Sequence, residues 1–207
     1  MNGSKAGTID QLAFYNCEIS SLRGVIRTKD NGLFMKNIVF ENCVIDSING
    51  YEVINVGVNY SLESPRILNT TISNTATTFR LDKLKINEGD GLTGISLIQV
   101  ENSNFMYTDV IFRCGDVSQV TFMKNIFAGS NSGADTDGIY SPSYQLRGDF
   151  ATKKMQDNYT TADTKITDFD NTQTRENMNE LFVNQSEEDF TLQVSQYRNF
   201  IGDPRWW

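Results

Sequence analysis

The stretch that decides the fold is IVFENCVI, residues 38–45, because recognisable copies of it return along the chain. An earlier copy begins at Leu12, and later copies begin at Pro65, Ile98 and Val120. The starts are therefore 26, 27, 33 and 22 residues apart. Repeats of this length are typical of solenoid proteins, in which each unit stacks on its neighbours while the connecting loops vary in length.

The aligned copies place residues of one kind in the same columns. Apolar and polar residues alternate, as expected for strands that bury one face. The asparagine that follows tolerates a left-handed corner, and its amide is expected to bond the next copy. The residue after it is small, which suits a crowded interior. The columns are Phe14, Phe40, Ile67, Val100 and Phe122; Asn16, Asn42, Asn69 and Asn102; Cys17, Cys43, Thr70 and Ser103; and Ile19, Ile45, Ile72, Phe105 and Phe127. Lys124 interrupts the asparagine column, so we expect the stack to change at the fifth copy.

A second column supports the same register. Arg27, Arg80 and Arg113 each stand eight residues beyond the last apolar position of their copy. In the second copy, Ile54-Asn55-Val56 fills the same pattern, with asparagine where the others have arginine. Each arginine is flanked by residues suited to an interior, such as Phe79 and Leu81 around Arg80. Because two separate columns agree on one alignment, we expect the arginines to form an outward stripe across neighbouring strands.

These patterns predict an all-β fold, a right-handed single-stranded parallel β-helix of the pectin-lyase-like kind with about five to six rungs. A β-sandwich would not repeat an aligned asparagine–small dipeptide, and leucine-rich or helical repeats need other periodicities. We expect one domain over residues 1–207, with rungs at about 9–127 and with irregular loops and a C-terminal cap at 128–207.

The C-terminal part carries weaker signals. A sixth rung is predicted near residues 153–160, a short helix within 174–182 and a last strand at 190–194, and Trp206 and Trp207 are expected to cover the last rung. Solenoids need atypical ends because an uncovered unit exposes both core and strand edges. The first copy has no comparable cap, which indicates a fragment of a longer precursor with further domains upstream.

Composition excludes several classes of function. The net charge of −8 argues against nucleic acid as a partner, because phosphate neutralisation needs a basic surface. Histidine is absent, which removes Ser-His-Asp and Cys-His catalysis. No apolar run reaches the ~18 residues that a membrane span requires. The three cysteines are predicted to be reduced and buried, because they fall in inward columns.

Several phrases resemble a known family. They are VFENCVI (residues 39–45), VIRT (25–28), FRLD (79–82) and the ending GDPRW (202–206). The family comprises pectate-lyase-like β-helix domains of uncharacterised function in surface proteins of Gram-negative gut bacteria, and the resemblance covers residues from about 9 to the end. It implies export, as a lipid-anchored outer-membrane surface protein, in a setting of polysaccharide capture and breakdown. It implies no catalytic residues.

The arginine stripe is the candidate ligand-binding site, formed by Arg27, Asn55, Arg80, Lys83 and Arg113. Guanidinium groups suit bidentate recognition of uronate carboxylates. The other interpretation is structural pairing with nearby carboxylates, above all Asp82 with Arg80. We therefore expect an extracellular or cell-surface domain that binds or displays polysaccharide, with no cofactor and no metal site.

The alternative is a polysaccharide lyase acting on an anionic, uronic-acid glycan. In that case Lys83 would serve as the base and Arg80 or Arg113 would assist it, together with a calcium ion in an acidic site. No acidic calcium site is evident in the sequence, so catalysis stays open at this point.

Overall fold

The computed structural model describes residues 7–28, 33–56, 61–81, 95–114, 117–146, 150–167 and 169–207. Strands dominate these residues. In chain order the strands are β1 Gly7–Tyr15, β2 Glu18–Ser20, β3 Ile26–Arg27, β4 Leu33–Glu41, β5 Val44–Asp46, β6 Ile54–Asn55, β7 Ser61–Leu68, β8 Thr71–Leu81, β9 Ile95–Glu101, β10 Asn104–Cys114, β11 Val117–Met123, β12 Ile126–Ala128, β13 Ser143–Leu146, β14 Phe150–Gln156, β15 Tyr159–Thr160, β16 Thr172–Gln173, β17 Phe182–Asn184 and β18 Asp189–Leu192. The helical pieces are α1 Met178–Leu181 and the 3₁₀ turns Gln185–Glu187, Ser195–Tyr197 and Pro204–Trp206.

Two parallel sheets contain most of the described strands. The first has six strands in the order β1-β4-β7-β9-β11-β14. The second has ten, with the path β16-β15-β12-β10-β8-β5-β2 and with β13, β3 and β6 joined beside it. Strands β17 and β18 form a separate antiparallel pair.

The expected fold class is wrong in this form, and the domain is better described as a parallel two-sheet structure. The chain does not form one coil of uniform rungs: its strands are divided between two parallel sheets of six and ten strands, and an antiparallel pair follows. The physical reason is the left-handed corner within each copy. The strand before Asn42, β4, belongs to the first sheet, and the strand after it, β5, belongs to the second.

The register predicted from the repeats is confirmed residue by residue. Phe14 pairs with Phe40, Phe40 with Ile67, and Ile67 with Val100. The same column continues through Phe122 to Met155, so residues 153–160 do form the predicted sixth copy. All of these pairs are parallel, as stacked repeats require.

The corner residues adopt the predicted left-handed backbone. Asn16, Asn42, Asn69 and Asn102 have φ between 47° and 55°. Lys124 has φ 56° in the same column, so the expected change of the stack at this residue is wrong. The backbone N–H of Lys124 donates to the carbonyl oxygen of Gln156, which continues the ladder past the substitution. The corner conformation is therefore held by the stacked backbone as well as by asparagine.

The small-residue column makes hydrogen bonds that run from copy to copy. The backbone N–H of Cys43 donates to Thr70 Oγ1 (3.2 Å), and that of Thr70 donates to Ser103 Oγ (3.2 Å). The N–H of Ser103 donates to Asn125 Oδ1 (3.0 Å), and that of Asn125 to Asn158 Oδ1 (3.3 Å). These residues are buried, so each side-chain oxygen satisfies a backbone donor that water cannot reach.

A second corner column was not predicted. Ser21, Ser47, Asn74 and Tyr107 have φ between 50° and 56°, and each follows one of the paired residues Ser20, Asp46, Ser73 and Met106. Strands β8 and β10 therefore bend within their length. The identities at this corner vary, so the sequence carried little signal for it.

The main core lies between the two parallel sheets. It joins the inward residues of both, such as Phe40 from the first sheet and Ile45 from the second, each fully buried. Phe14 stacks on Phe40 with ring centroids 4.7 Å apart. The pairing of like side chains along a column therefore produces continuous apolar stacks, which bury most of the apolar surface.

A smaller core lies on the outer face of the second sheet. Met106, Ile126 and Ala128 point away from the main core and contact residues of the C-terminal segment, including Leu181 and Phe190. The predicted helix is limited to Met178–Leu181, with Asn177 and Glu180 forming a capping box. The last strand is Asp189–Leu192.

The end of the chain does not cover the last copy, which corrects the role expected for Trp206 and Trp207. The backbone N–H of Gly202 donates to the carbonyl of Lys124, and the indole N–H of Trp206 donates to Thr71 Oγ1 (2.8 Å). The segment therefore runs back across several copies. The reason is the apolar outer face of the second sheet, which this segment buries.

Replacing a core residue and its outward neighbour tests the strand orientation. We expect Phe40→Ala to lower the free energy of unfolding by about 3–5 kcal/mol, because Phe40 is fully buried and stacked. Glu41→Ala should change it by less than about 0.5 kcal/mol. Urea unfolding measures both, and equal effects would contradict the assigned orientation.

Thiol accessibility tests the cysteine positions. All three cysteines are thiols outside any disulfide, but only Cys43 and Cys114 are buried. Cys17 is half-buried because, among the described strands, its copy pairs with another copy on one side only. The expectation that all three are buried is therefore wrong for this residue. Burial raises the pKa of the Cys43 thiol above its ordinary value. Ellman's reagent should therefore modify Cys17 first in the native protein, and the other two only on unfolding; prior modification of Cys43 would contradict this.

Candidate functional site

The arginine stripe predicted from the sequence is assembled by four parallel strands. Arg27 in β3 pairs with Asn55 in β6, Asn55 pairs with Arg80 in β8, and Arg80 pairs with Arg113 in β10. The column continues to Gln145 in β13. Neighbouring strands lie about 4.8 Å apart, so the column presents nitrogen donors at a regular repeat across the sheet.

Some residues expected at this site fall outside the part of the chain that the structure describes. They are the candidate Lys83 and three carboxylates that lie near the arginines in the sequence, Asp30, Asp82 and Asp116. The predicted pairing of Arg80 with Asp82 therefore stays a prediction. The carboxylate that the structure does place against Arg80 is a different one.

Glu52 is the residue that sequence reasoning missed. Its carboxylate accepts a hydrogen bond from Asn55 Nδ2 and forms an ion pair with Arg80, with Oε1 3.3 Å from Nη1. The Glu52 side chain is 10% exposed and that of Arg80 is 30% exposed, so water screens this pair only partly. The sequence did contain a hint of this contact. Glu52 lies three residues before Asn55, and the register pairs Asn55 with Arg80.

Glu52 gives Arg80 a structural role. A half-buried guanidinium without a carboxylate would keep an uncompensated charge beside the core. Since Glu52 also accepts from Asn55, it links two adjacent strands of the column and holds both side chains in place. The structural interpretation of the stripe is therefore supported at Arg80.

Tyr51 organises the other end of the column. The Arg27 guanidinium carbon lies 3.7 Å from the centre of the Tyr51 ring, and that of Arg23 lies 4.5 Å from it. Cations are attracted to the electron-rich face of an aromatic ring. Arg27 is exposed, so its guanidinium is oriented by the ring while it stays accessible to solvent.

The turn before Tyr51 allows this approach. Gly50 has φ 121°, a conformation that other residues rarely adopt, and a Cβ there would lie 3.0 Å from Arg23 Cγ. The backbone N–H of Tyr51 donates to the carbonyl of Arg23. Glycine thus lets the Arg23 side chain lie across the turn and reach the ring.

The resulting surface combines several arginines with one aromatic ring and one anchored carboxylate. Arg23 and Arg27 lie on Tyr51, and Arg80 and Arg113 are direct neighbours across β8 and β10. Like charges on directly opposite residues are unfavourable unless anionic groups offset them. An anion such as a uronate carboxylate or a sulfate ester would be stabilised by bidentate hydrogen bonds here.

A separate acidic cluster lies at the second corner. Asp46 is buried and accepts from Ser73 Oγ (2.6 Å) and Asn74 Nδ2 (2.7 Å). Burial, and then the nearby Asp46 and Glu18, raise the pKa of Glu188 above its ordinary value. Within the described residues, no group of three or more acidic, cysteine or histidine side chains is arranged to hold a metal ion.

Comparisons with known proteins give no further information on the function of this site. No family model, no curated protein and no solved structure matches the chain. Within the described ranges, no helix has the length and apolar character needed to cross a bilayer.

Removing the Glu52 charge tests the structural role of this residue. Glu52→Gln should lower the free energy of unfolding by about 1–3 kcal/mol, because it removes the carboxylate charge that pairs with the half-buried Arg80. Glu187→Gln, at an exposed position, is the control and should change it by less than about 0.5 kcal/mol. Urea unfolding of both variants measures the difference, and a neutral Glu52→Gln would show that the ion pair contributes nothing.

Proposed function

We propose that this domain binds an anionic polysaccharide, outside the cell or at its surface, and does not cleave it. The observation that carries the proposal is the register of Arg27, Asn55, Arg80 and Arg113 on four adjacent strands. A linear polysaccharide presents its acidic groups at regular intervals, and this column presents donors at regular intervals along one line. A repeating ligand thus meets a repeating surface.

The binding energy of such a site comes from local contacts. The whole chain has a net charge of −8, which repels a polyanion at long range. Attraction must act within the Debye length, about 8 Å at physiological ionic strength. Arg27, Arg80 and Arg113 would all contribute to it, and the ion pair with Glu52 lowers the net charge that Arg80 offers. Affinity should therefore decrease as salt is added.

Cleavage of the glycan has less support. A lyase of the kind considered above needs a lysine base, and the candidate Lys83 lies outside the described residues. Of the two candidate assisting groups, Arg80 and Arg113, the first is engaged by Glu52. The lyase alternative therefore stays a hypothesis without a specific observation in its favour, whereas binding requires only the donors that the column provides.

The test is binding of an oligogalacturonate to the intact protein, measured by isothermal titration calorimetry. We expect the double substitution Arg27→Ala/Arg113→Ala to weaken binding by at least about tenfold, which corresponds to about 1.4 kcal/mol. The matched control is Lys153→Ala/Lys154→Ala, which removes two exposed cations from β14 in the other sheet and should leave affinity unchanged.

Three outcomes would overturn the proposal. One is no saturable binding of the oligogalacturonate to the wild-type protein at low salt. Another is equal weakening by the two double variants, which would indicate nonspecific charge attraction. The third is cleavage of the oligogalacturonate, detected as new absorbance from unsaturated products. Urea unfolding of each variant shows whether a loss of binding reflects loss of the fold.

A further inference from the structure

A cleft of about 510 Å³ is lined by residues between Tyr159 and Phe200, which follow the arginine column in the sequence. Its walls are strands β15 and β16 on one side and the turn Ser195–Tyr197 with Phe200 on the other. Ligand sites in proteins are clefts of roughly 300–1,000 Å³ with apolar walls and a few convergent polar groups. The volume of this cleft lies in that range, and its lining combines three aromatic residues with five polar ones.

Three aromatic rings form the apolar wall. The ring centroids of Tyr159 and Tyr197 are 6.0 Å apart, and those of Tyr159 and Phe200 are 6.2 Å apart. Phe200 is 41% exposed and lines the cleft, so part of its ring is accessible there. Adjacent rings of this kind provide flat apolar surfaces on which the C–H face of a pyranose ring can stack.

Polar groups with fixed orientation lie beside the rings. The Tyr197 hydroxyl donates to Glu176 Oε2 (2.8 Å), and burial followed by this bond raises the pKa of Tyr197 above its ordinary value. Gln173 Nε2 donates to the carbonyl of Ala162 (2.8 Å), which fixes the plane of its amide. Arg175 and Gln196 also line the cleft. Planar amide, carboxylate and guanidinium groups are suited to pairs of neighbouring sugar hydroxyls.

The charges around the cleft are balanced. Arg175 and Glu176 are both in its lining, and Lys124 Nζ lies 6.0 Å from the centre of the Phe200 ring. Asp157 is close enough to raise the pKa of Tyr159, although burial is the larger cause. With cations and carboxylates both present, the cleft offers no excess of positive charge to an anionic ligand. An uncharged ligand fits it better.

We propose that this cleft binds one or two residues of a neutral oligosaccharide, at a site separate from the arginine column. The separation follows from the register. Tyr159 pairs with Ile126, and Ile126 pairs with Asn104, the first residue of β10. Arg113 lies nine residues further along β10, on the other side of the corner at Tyr107. The protein therefore has two glycan-binding surfaces of different charge preference.

The test is titration of the intact ¹⁵N-labelled protein with cellotriose, maltotriose and mannotriose, followed by NMR chemical shifts. At least one of the three should bind saturably, with shifts concentrated at residues of β15, β16 and 195–200. Phe200→Ala and Gln196→Ala, both at exposed positions, should each weaken binding by at least about tenfold. The control is Val183→Ala, which truncates another exposed apolar side chain, 50% exposed and outside the cleft, and should leave affinity unchanged.

The outcomes separate this site from the arginine column. Arg27→Ala/Arg113→Ala should keep the binding of the neutral trisaccharide, and Phe200→Ala should keep the binding of the oligogalacturonate. No saturable binding of any of the three probes at millimolar concentration would overturn the proposal. Unchanged affinity in both Phe200→Ala and Gln196→Ala would also overturn it, because it would place the ligand elsewhere. A preference of the cleft for trigalacturonate would reverse the assigned ligand charge.

Discussion

The interaction on which the structure depends is the hydrogen bond from a corner backbone N–H to a side-chain oxygen in the next copy. It recurs from Cys43 to Thr70, from Thr70 to Ser103, from Ser103 to Asn125 and from Asn125 to Asn158. The residue before each of these N–H groups has a left-handed backbone conformation. The N–H group therefore does not point in the direction of the regular hydrogen bonds between strands. A buried donor without an acceptor would cost about 1–3 kcal/mol. Serine, threonine or asparagine at this place thus allows a tight corner inside a dry core.

This column also determines where functional groups can lie. Once the corners are aligned, the strands after them pair in register, as β10 does with β8 from Asn104 and Thr71 to Arg113 and Arg80. A shift of one residue would move Arg80 inward and Phe79 outward. The apolar core and the donor column are therefore consequences of one alignment. A surface built in this way repeats along one direction, which favours elongated ligands.

The C-terminal segment packs against residues of these corners from the outer face of the second sheet. Gly202 approaches so closely that a Cβ would meet Asn104 Oδ1 at 2.4 Å, and its φ of 71° also favours glycine. Asp203 is buried, accepts from Thr71 Oγ1 and pairs with Arg205. Arg205 in turn donates to the carbonyl oxygens of Asn42 and Cys43. A charged pair thus satisfies polar groups of separate copies, and the segment between α1 and the chain end is held against the second sheet. The same segment forms one wall of the aromatic cleft.

The sequence by itself determined the features that repeat. The register, the left-handed corners at residues such as Asn42, the buried stacks around Phe40 and the column containing Arg80 could all be predicted, because each repeated residue meets its own counterpart in the next copy. Features that do not repeat were decided by the tertiary structure. The strands that follow the corners differ in length, from three residues in β2 to eleven in β8, and Glu52 meets Arg80 only because a loop of one copy folds beside a strand of the next. The aromatic cleft likewise joins β15 to a turn some forty residues later. No pattern in the chain links such residues, since their contact depends on how non-repeating loops fold back onto the stack.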